Sequence, residues 1–408
     1  MMETSATKSA LTTLPITNPE TELILCCART ELDDRTTHQI QTLLEQKLDW
    51  QRVIEIAIEQ GVLPLVYYNL NRGFGDRLPS EVLAQLARYF QANTQRNLLL
   101  TAELIKILKA LAKDGIDGIS FKGPTLAATA YGELALRQFC DLDLFIEEQN
   151  SLKVVDILVD LGYQLPDPIA GLEKRPYMAY KQFLESEETQ KKYNLFHPQK
   201  KITIDLQWSL TERRIDRFFP VDFEHLNANP SYITLANTDI QQFSPEDMLL
   251  YLCFHGSKHC WSELKWICDV AEFVRSSQEI DWQLVSSQAQ AWKVERMLSL
   301  GLFLVEDILK IELPEIAKQN IEIQPEIVAL AGKVKQGIFD RPLTETEKIA
   351  FRFKLRNKLS EQVFYLADIL FTPTAKEWEF LPFTLPKSIS FLYRTLRPYR
   401  LIRESLFN

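Results

Sequence analysis

The chain has 408 residues, of which 46% are hydrophobic and 25% charged, and it carries a formal net charge of −9. This composition is typical of a folded protein with a sizeable core, and the length suggests two or three structural units. The acidic balance argues against a protein that coats DNA or another polyanion. A small nucleotide carried with Mg²⁺ stays compatible, because the ion brings its own positive charge.

The sequence also argues against a membrane or secreted protein. No apolar run reaches the ~18 residues of a membrane span. Six cysteines in a chain of this length do not resemble a disulfide framework and favour a reduced, cytoplasmic setting. Residues 1–20 are rich in Ser, Thr and Pro and lack an apolar segment of signal-peptide length, so we expect a flexible tail.

Residues 21–114 are predicted to form an N-terminal helical region. After Asp49, a predicted N-cap, apolar residues recur at the i, i+3, i+4, i+7 spacing of one buried helix face, and Gly61 suits the end of that helix. A longer helix is expected to begin at Pro79 and to end near Gly115.

The pattern changes at residue 115, and residues 115–240 are predicted to form an α+β core. Residues 119–121, 141–146 and 201–208 read as strands, with helices between them. Residues 241–408 are predicted to form a C-terminal helical domain. Its first helix is expected to begin after Ser244.

Two aspartates on the strand over residues 141–146 are the first candidates for chemistry. Asp141 and Asp143 are two residues apart, so a strand points both carboxylates to one face, opposite Leu142 and Leu144. Neighbouring carboxylates repel each other unless a cation lies between them, and such oxygen ligands suit Mg²⁺. Two solvated acids on an exposed strand are the alternative.

Asp205 extends this pattern, since Ile204 and Leu206 are predicted to face the other side of its strand. If this strand lies beside the first, three carboxylates share one face. They could hold two metal ions for in-line phosphoryl transfer, one clamping a triphosphate and the other activating a hydroxyl, with Asp205 as ligand or general base. An ordinary edge-strand acid is the alternative reading.

The turn Lys122-Gly123-Pro124-Thr125 leads from a strand into a helix, where backbone donors and the helix dipole favour anions. Gly123 would allow a phosphate to come close, and Thr125 would offer a hydroxyl. Lys122 would pair with a phosphate or with an aspartate. An ordinary turn with a solvated lysine fits the tetrapeptide equally well.

These segments together resemble a known family. They are Gly118 to Ala127, Leu136-Arg137, Asp141 to Ile146, Ile204 to Trp208, a His-rich motif with His255, His259, Trp261, Leu264, Trp266 and Asp269, and the ending from Leu392 to Leu401. They resemble the nucleotidyltransferase superfamily that includes DNA polymerase β and kanamycin nucleotidyltransferase, and more narrowly a largely uncharacterised bacterial family of that fold.

The resemblance implies a nucleotidyltransferase-type mixed β-sheet core between the two helical regions. It assigns Asp141, Asp143 and Asp205 as metal-binding carboxylates and Gly123 as the glycine of the phosphate-contacting turn. One departure matters: the superfamily usually has Gly-Ser in that turn, whereas this chain has Gly123-Pro124. Phosphate contact is then expected from Thr125, Lys122 or Arg137.

Four residues outside the carboxylates and the turn complete the predicted site. His255, Lys258 and His259 are expected to face the catalytic cleft from one helix and to touch phosphate or acceptor; a packed histidine pair is the alternative. Zinc is disfavoured, because Cys253 would point away from the pair and the chain has no Cys-x-x-Cys. Arg137 is expected either to neutralise a triphosphate or to brace the aspartates.

Other basic and aromatic residues have less specific readings. The C-terminal cations either touch an anionic partner such as RNA or form a solvated face, which is the commoner case. They are Lys387, Arg394, Arg397, Arg400 and Arg403. Trp266 is expected to serve packing.

The leading hypothesis is a Mg²⁺- or Mn²⁺-dependent enzyme that moves a nucleoside monophosphate from an NTP to an acceptor and releases pyrophosphate. The acceptor is expected to be a small molecule or protein rather than RNA. A nucleotide-binding or regulatory module without turnover, for example of toxin–antitoxin type, is the second hypothesis. A helical scaffold with an incidental α+β insert is the third.

Overall fold

The computed structural model describes residues 18–165, 192–211, 221–277, 280–319, 322–372 and 392–407. Nearly all of the predicted tail lies outside these ranges, although the first helix already begins at Pro19. Asn18 caps that helix, and its Oδ1 accepts from the backbone N–H of Glu20 at 2.9 Å. None of the described helices combines the length and the apolar character that crossing a bilayer requires.

In the described residues, five α-helices precede the sheet: α1 Pro19–Cys27, α2 Asp34–Leu44, α3 Trp50–Glu59, α4 Leu63–Phe74 and α5 Ser80–Lys113. Of these, α3 and α5 were predicted individually within the expected helical region. Asp49 caps α3 as predicted, accepting from the N–H of Arg52 at 3.1 Å. Helix α5 is 34 residues long. Its Leu86 belongs to a first apolar core among the helices, and its Leu104 to a second core behind the sheet. Helix α5 therefore connects the two cores.

A four-stranded mixed sheet forms the α+β part, in the order β1–β2–β4–β3. Its strands are β1 Ile119–Ser120, β2 Asp141–Phe145, β3 Lys192–His197 and β4 Ile202–Gln207. The two central strands, β2 and β4, run parallel, whereas β1 and β3 pair antiparallel at the edges. The strands predicted over 119–121, 141–146 and 201–208 are confirmed to within one or two residues.

The two faces of the sheet have different environments. Behind it, Leu142, Leu144, Ile204 and Leu206 are fully buried in the second core. On the front, Phe145 packs edge-on to Phe243, with ring centroids 6.2 Å apart. This end of the front face is closed, so the aspartates further back along β2 remain beside an open cavity.

Shorter elements surround the sheet: α6 Gly123–Tyr131, α7 Ser151–Asp160, α8 Phe223–Ala228, β5 Ser231–Leu235 and β6 Thr238–Gln242. The later helices are α9 Pro245–Lys258, α10 Leu264–Ser276, α11 Trp282–Trp292, α12 Glu295–Ile308, α13 Glu315–Gln319, α14 Pro325–Phe339, α15 Glu345–Lys354, α16 Leu359–Phe371 and α17 Tyr393–Phe407. Helices that precede the sheet and helices that follow it share the first core. Buried contacts such as Thr30 Oγ1 to Glu272 Oε2, at 2.6 Å, join them.

Candidate functional site

The parallel pairing of β2 and β4 brings the three predicted carboxylates together. Asp143 lies directly opposite Asp205 in the register, and Asp141 shares the front face of β2 with Asp143. The Gln207 amide Nε2 donates to Asp205 Oδ2 at 2.9 Å and contacts Asp143 Oδ1 at 3.4 Å. One side chain thus spans both acids across the strand pair.

A cavity of about 660 Å³ lies over these acids. It is bounded by the front of the sheet, the start of α6, and helices α9, α10 and α16. The predicted site residues that line it are Lys122, Gly123, Arg137, Asp141, Asp143, Asp205, His255, Lys258 and His259. Thr125 is the one predicted site residue outside the lining.

Asp143 is the most buried of the acids, with 3% of its surface exposed. Burial raises its pKa to about 6; Lys122 opposes this shift, while the charges of Asp141 and Asp205 add to it. Lys122 Nζ lies 2.7 Å from Asp143 Oδ1. Burial is the largest single influence on the pKa of Lys122 and would lower it, but Asp143, Tyr251 and Asp141 together raise this pKa above its usual value. Of the two roles predicted for Lys122, the structure shows the pairing with an aspartate.

Asp205 fits the role of a metal ligand. Its Oδ1 is buried and has no hydrogen-bond partner, and its Oδ2 lies 3.6 Å from Lys192 Nζ. Burying an unpaired carboxylate oxygen is unfavourable, and a hard cation would relieve it. No three His, Cys, Asp or Glu side chains in the described residues form a ready coordination shell. A divalent ion would therefore take part of its ligands from water and phosphate, as Mg²⁺ usually does.

The turn before α6 requires its glycine. Gly123 has φ +56°, and a Cβ at this position would lie 3.3 Å from the carbonyl oxygen of Asp141. Thr125 differs from the prediction, because it is fully buried and its hydroxyl lies 2.6 Å from Ser120 Oγ. The helix turns this side chain back toward β1, so it cannot serve a phosphate in the cavity. Pro124 offers no N–H there either.

Arg137 is held by a residue outside the predicted set. Its Nε donates to Asp269 Oδ1 at 2.7 Å and its Nη2 to Asp269 Oδ2 at 2.9 Å, and the Tyr131 hydroxyl also donates to Asp269 Oδ1 at 2.7 Å. The salt bridge of Arg137 goes to Asp269 and not to the three aspartates, although the charge of Asp143 still adds to the rise of its pKa. Contact with a triphosphate stays a prediction.

The segment that carries Arg137 is fixed by helix α5. Asn97 Nδ2 donates to the carbonyl oxygens of Leu134, at 2.6 Å, and Arg137, at 2.9 Å. Arg96 Nη2 donates to the carbonyl oxygen of Cys140 at 3.0 Å. Since Asp141 follows at once, α5 positions the start of β2 and its carboxylates.

The two histidines form a wall of the cavity with Trp266. The helix predicted to carry both histidines, α9, ends at Lys258, so His259 lies just beyond it as the C-cap residue. The ring centroids of His255 and His259 are 4.7 Å apart, and Trp266 lies 5.6 Å and 5.2 Å from them. Trp266, expected to serve packing, therefore also lines the cavity. Cys253 packs against Gly301 of α12 instead.

Both imidazoles are neutral at pH 7. Desolvation is the main cause that lowers the pKa of His255, and positive charges led by Lys122 lower it further. The pKa of His259 is lowered to about 4, again by desolvation and then by Lys258, although this ring is exposed toward the cavity. Neutral rings offer flat surfaces and hydrogen-bonding nitrogens rather than charge.

Some lining residues could have been predicted and others could not. Tyr251 precedes His255 by one helical turn, and Gln207 follows Asp205 on the same strand face. Both could therefore have been predicted from their spacing. Lys265 comes from α10 without such a signal. Asp368 and Thr372, at the end of α16, approach from a distant part of the chain.

The C-terminal basic residues do not form one solvated face. Arg397 Nε donates to the carbonyl oxygen of Ile369, and Arg400 is buried. Arg403 is exposed. Lys387 and the side chain of Arg394 lie outside the described part of the structure.

Comparison with known proteins agrees with this geometry. A search of curated protein sequences gives no significant match. The model of a family described as "Uncharacterised nucleotidyltransferase" matches residues 46–310, more than half of the chain. This span contains all four strands and every lining residue except Asp368 and Thr372. The chain therefore belongs to this nucleotidyltransferase family.

Proposed function

We propose that the cavity binds a nucleoside triphosphate with Mg²⁺ or Mn²⁺ and transfers its nucleoside monophosphate to an acceptor, with release of pyrophosphate. One observation carries the proposal: parallel strands set Asp143 opposite Asp205, and the buried Oδ1 of Asp205 has no hydrogen-bond partner. Family membership supports the reaction class, and the acidic face supports the need for a divalent ion.

In this reaction an acceptor oxygen forms a bond to the α-phosphorus. The bond from that phosphorus to the bridging oxygen breaks, and pyrophosphate leaves with the bridging oxygen. When bound, Mg²⁺ neutralises phosphate charge and lowers the pKa of the attacking hydroxyl. Asp205 would hold the ion together with Asp143 or Asp141. Asp205 would also accept the hydroxyl proton if one of its oxygens is not coordinated.

Lysines that line the cavity provide the complementary charge. Lys122, Lys258 and Lys265 line the same cavity as the carboxylates, so the triphosphate has cations within reach although the whole chain carries −9. The neutral imidazoles and Trp266 offer flat surfaces for a base or an acceptor. We propose a small molecule or a protein side chain as acceptor rather than RNA, since a chain with a net charge of −9 gains no overall attraction to a polyanion.

Charge-neutralising variants test the proposal. Asp143→Asn and Asp205→Asn are expected to abolish Mn²⁺-dependent binding of a non-hydrolysable NTP, measured by calorimetry, because each removes an anionic ligand. The matched control is Asp117→Asn, which makes the same change at an exposed position between α5 and β1. Unaltered binding in both site variants would contradict the site assignment.

Turnover is tested separately. Pyrophosphate release should appear with one or more acceptors in a broad screen and should disappear in Asp143→Asn. Metal-dependent NTP binding without any pyrophosphate release would instead favour the non-catalytic, regulatory reading. That reading draws some support from the turn, where Pro124 lacks an N–H and Thr125 is buried.

A further inference from the structure

Lys122 occupies an unusual position for a residue expected at a phosphate. Its ammonium group lies 2.7 Å from Asp143 Oδ1, and the two side chains are only 14% and 2% exposed. The same nitrogen lies 5.7 Å from the ring centroid of Phe121 and 6.0 Å from that of Tyr251. Aromatic faces favour a cation at such distances. The protein thus supplies its own counter-cation to the most buried acid of the site.

Asp205, which lies opposite Asp143, has no such buried counter-cation. Asp205 Oδ1 is buried without a partner, while the cation nearest to its other oxygen is Lys192, 3.6 Å away and with 46% of its side chain exposed. Moving the exposed Lys192 side chain away from Asp205 costs little free energy. Moving Lys122, which is buried between aromatic rings and a carboxylate, costs more. Asp205 therefore has an oxygen available for an ion, whereas Asp143 is already paired with Lys122.

We propose that Lys122 makes the cavity selective for the metal–nucleotide complex over the free metal ion; this inference rests on the proposed function. A divalent ion arriving alone at Asp143 meets the repulsion of an ammonium group on the same carboxylate. Driving that group away would leave a buried cation without its partner. A triphosphate brings negative oxygens that offset the repulsion and give the ammonium group a second partner. Metal and nucleotide then bind cooperatively.

The test is the affinity for Mn²⁺ alone, measured by electron paramagnetic resonance or calorimetry, in the wild type and in Lys122→Met. The substitution keeps much of the side-chain volume and removes the charge. We expect Mn²⁺ alone to bind Lys122→Met about tenfold more tightly or better, within the usual range of coupling between two sites. Affinity for the complex of Mn²⁺ with a non-hydrolysable NTP should fall in the same variant.

Two matched variants separate charge from other effects. Lys192→Met removes the charge of a lysine in the same cavity whose side chain is 46% exposed, and it should leave the affinity for Mn²⁺ alone within about threefold of the wild type. Lys122→Arg keeps the charge and should keep the weak binding of Mn²⁺ alone. If Lys122→Met does not fold, Lys122→Gln, which can still donate to Asp143, replaces it.

The outcomes are distinct. Equal affinity for Mn²⁺ alone in the wild type and the neutral variants would overturn this inference and leave the proposed function standing. A wild type that binds neither Mn²⁺ nor its NTP complex would overturn both. A thermal shift by Mn²⁺ that is larger in Lys122→Met than in the wild type would support the inference without any acceptor or turnover.

Discussion

Replacing Asp269 by Asn should destabilise the protein strongly, although Asp269 is not predicted to bind metal or nucleotide. Asp269 is 1% exposed and accepts hydrogen bonds from Tyr131 and from two nitrogens of Arg137. Asn keeps the shape but removes the charge and turns one acceptor into a donor. The buried guanidinium is then left without its counter-ion.

The magnitude follows from the burial of this pair. The side chains of Arg137 and Asp269 are 7% and 2% exposed, so solvent screens them little. Removing one partner of such a pair destabilises by about 3–5 kcal/mol. Because both oxygens of Asp269 are engaged, we expect a loss within that range. Arg137→Met alone should also destabilise, while the double variant should lose less than the sum by at least about 2 kcal/mol.

Urea unfolding followed by tryptophan fluorescence measures these losses, with Asp117→Asn as the exposed control. Asp269→Asn should also weaken nucleotide binding, because Arg137 belongs to the segment that leads into β2. A loss below about 1 kcal/mol, with no coupling in the double variant, would refute the buried pair. Arg137 would then be available for phosphate, as one of the predictions from the sequence held.

Three further predictions follow from single contacts. Gly123→Ala should destabilise by about 1–2 kcal/mol, because it forces a side chain into the left-handed region, and should weaken NTP binding in a thermal-shift titration through its approach to Asp141. Thr125→Val should destabilise by about 1–3 kcal/mol, since it leaves the buried Ser120 hydroxyl without its partner, yet it should leave NTP affinity unchanged by calorimetry. The free energy of unfolding should fall as pH drops below about 6.5, partly because of His255, and His255→Gln should flatten this slope by at most about 1.4 kcal/mol per pH unit.

The sign of the pH effect comes from the lowered pKa of His255. Below pH 6.5 this histidine is protonated in the unfolded chain but stays neutral in the folded chain. Lowering the pH therefore favours the unfolded state. Asp143 acts in the opposite direction, since its folded pKa of about 6 lies above the usual carboxyl value. Unfolding curves of the wild type and His255→Gln at pH 7.5 and 5.5 isolate the histidine. An identical slope in both proteins would contradict its neutral, desolvated state.

The sequence was most informative where local periodicity and burial coincide. The alternation over residues 141–146 and 201–208 predicts which face carries Asp143 and Asp205. Every second residue of these strands is apolar and buried, so the aspartates between them point to the other face. It could not establish that these strands are neighbours. That depends on the parallel pairing of β2 with β4 across a long stretch of chain.

Other features depend on contacts that one-dimensional spacing does not contain. Arg137 was expected near the aspartates because it is close to them in sequence, but Asp269, more than a hundred residues later, holds it. Thr125 was placed at the phosphate because it follows the turn, but the first turn of α6 points it at Ser120. The contribution of α16 to the cavity arises from packing between distant helices, for which Asp368 gives no local signal.

In the proposed enzyme, strands β2 and β4 together build one divalent-ion site. The most direct measurement is a crystal of the protein soaked with Mn²⁺ and a non-hydrolysable NTP, examined by anomalous scattering. We expect a peak about 2 Å from Asp205 Oδ1, the distance at which such ions bind oxygen, with Asp143 or Asp141 as a second ligand. Mn²⁺ bound elsewhere, with the nucleotide away from these acids, would contradict it.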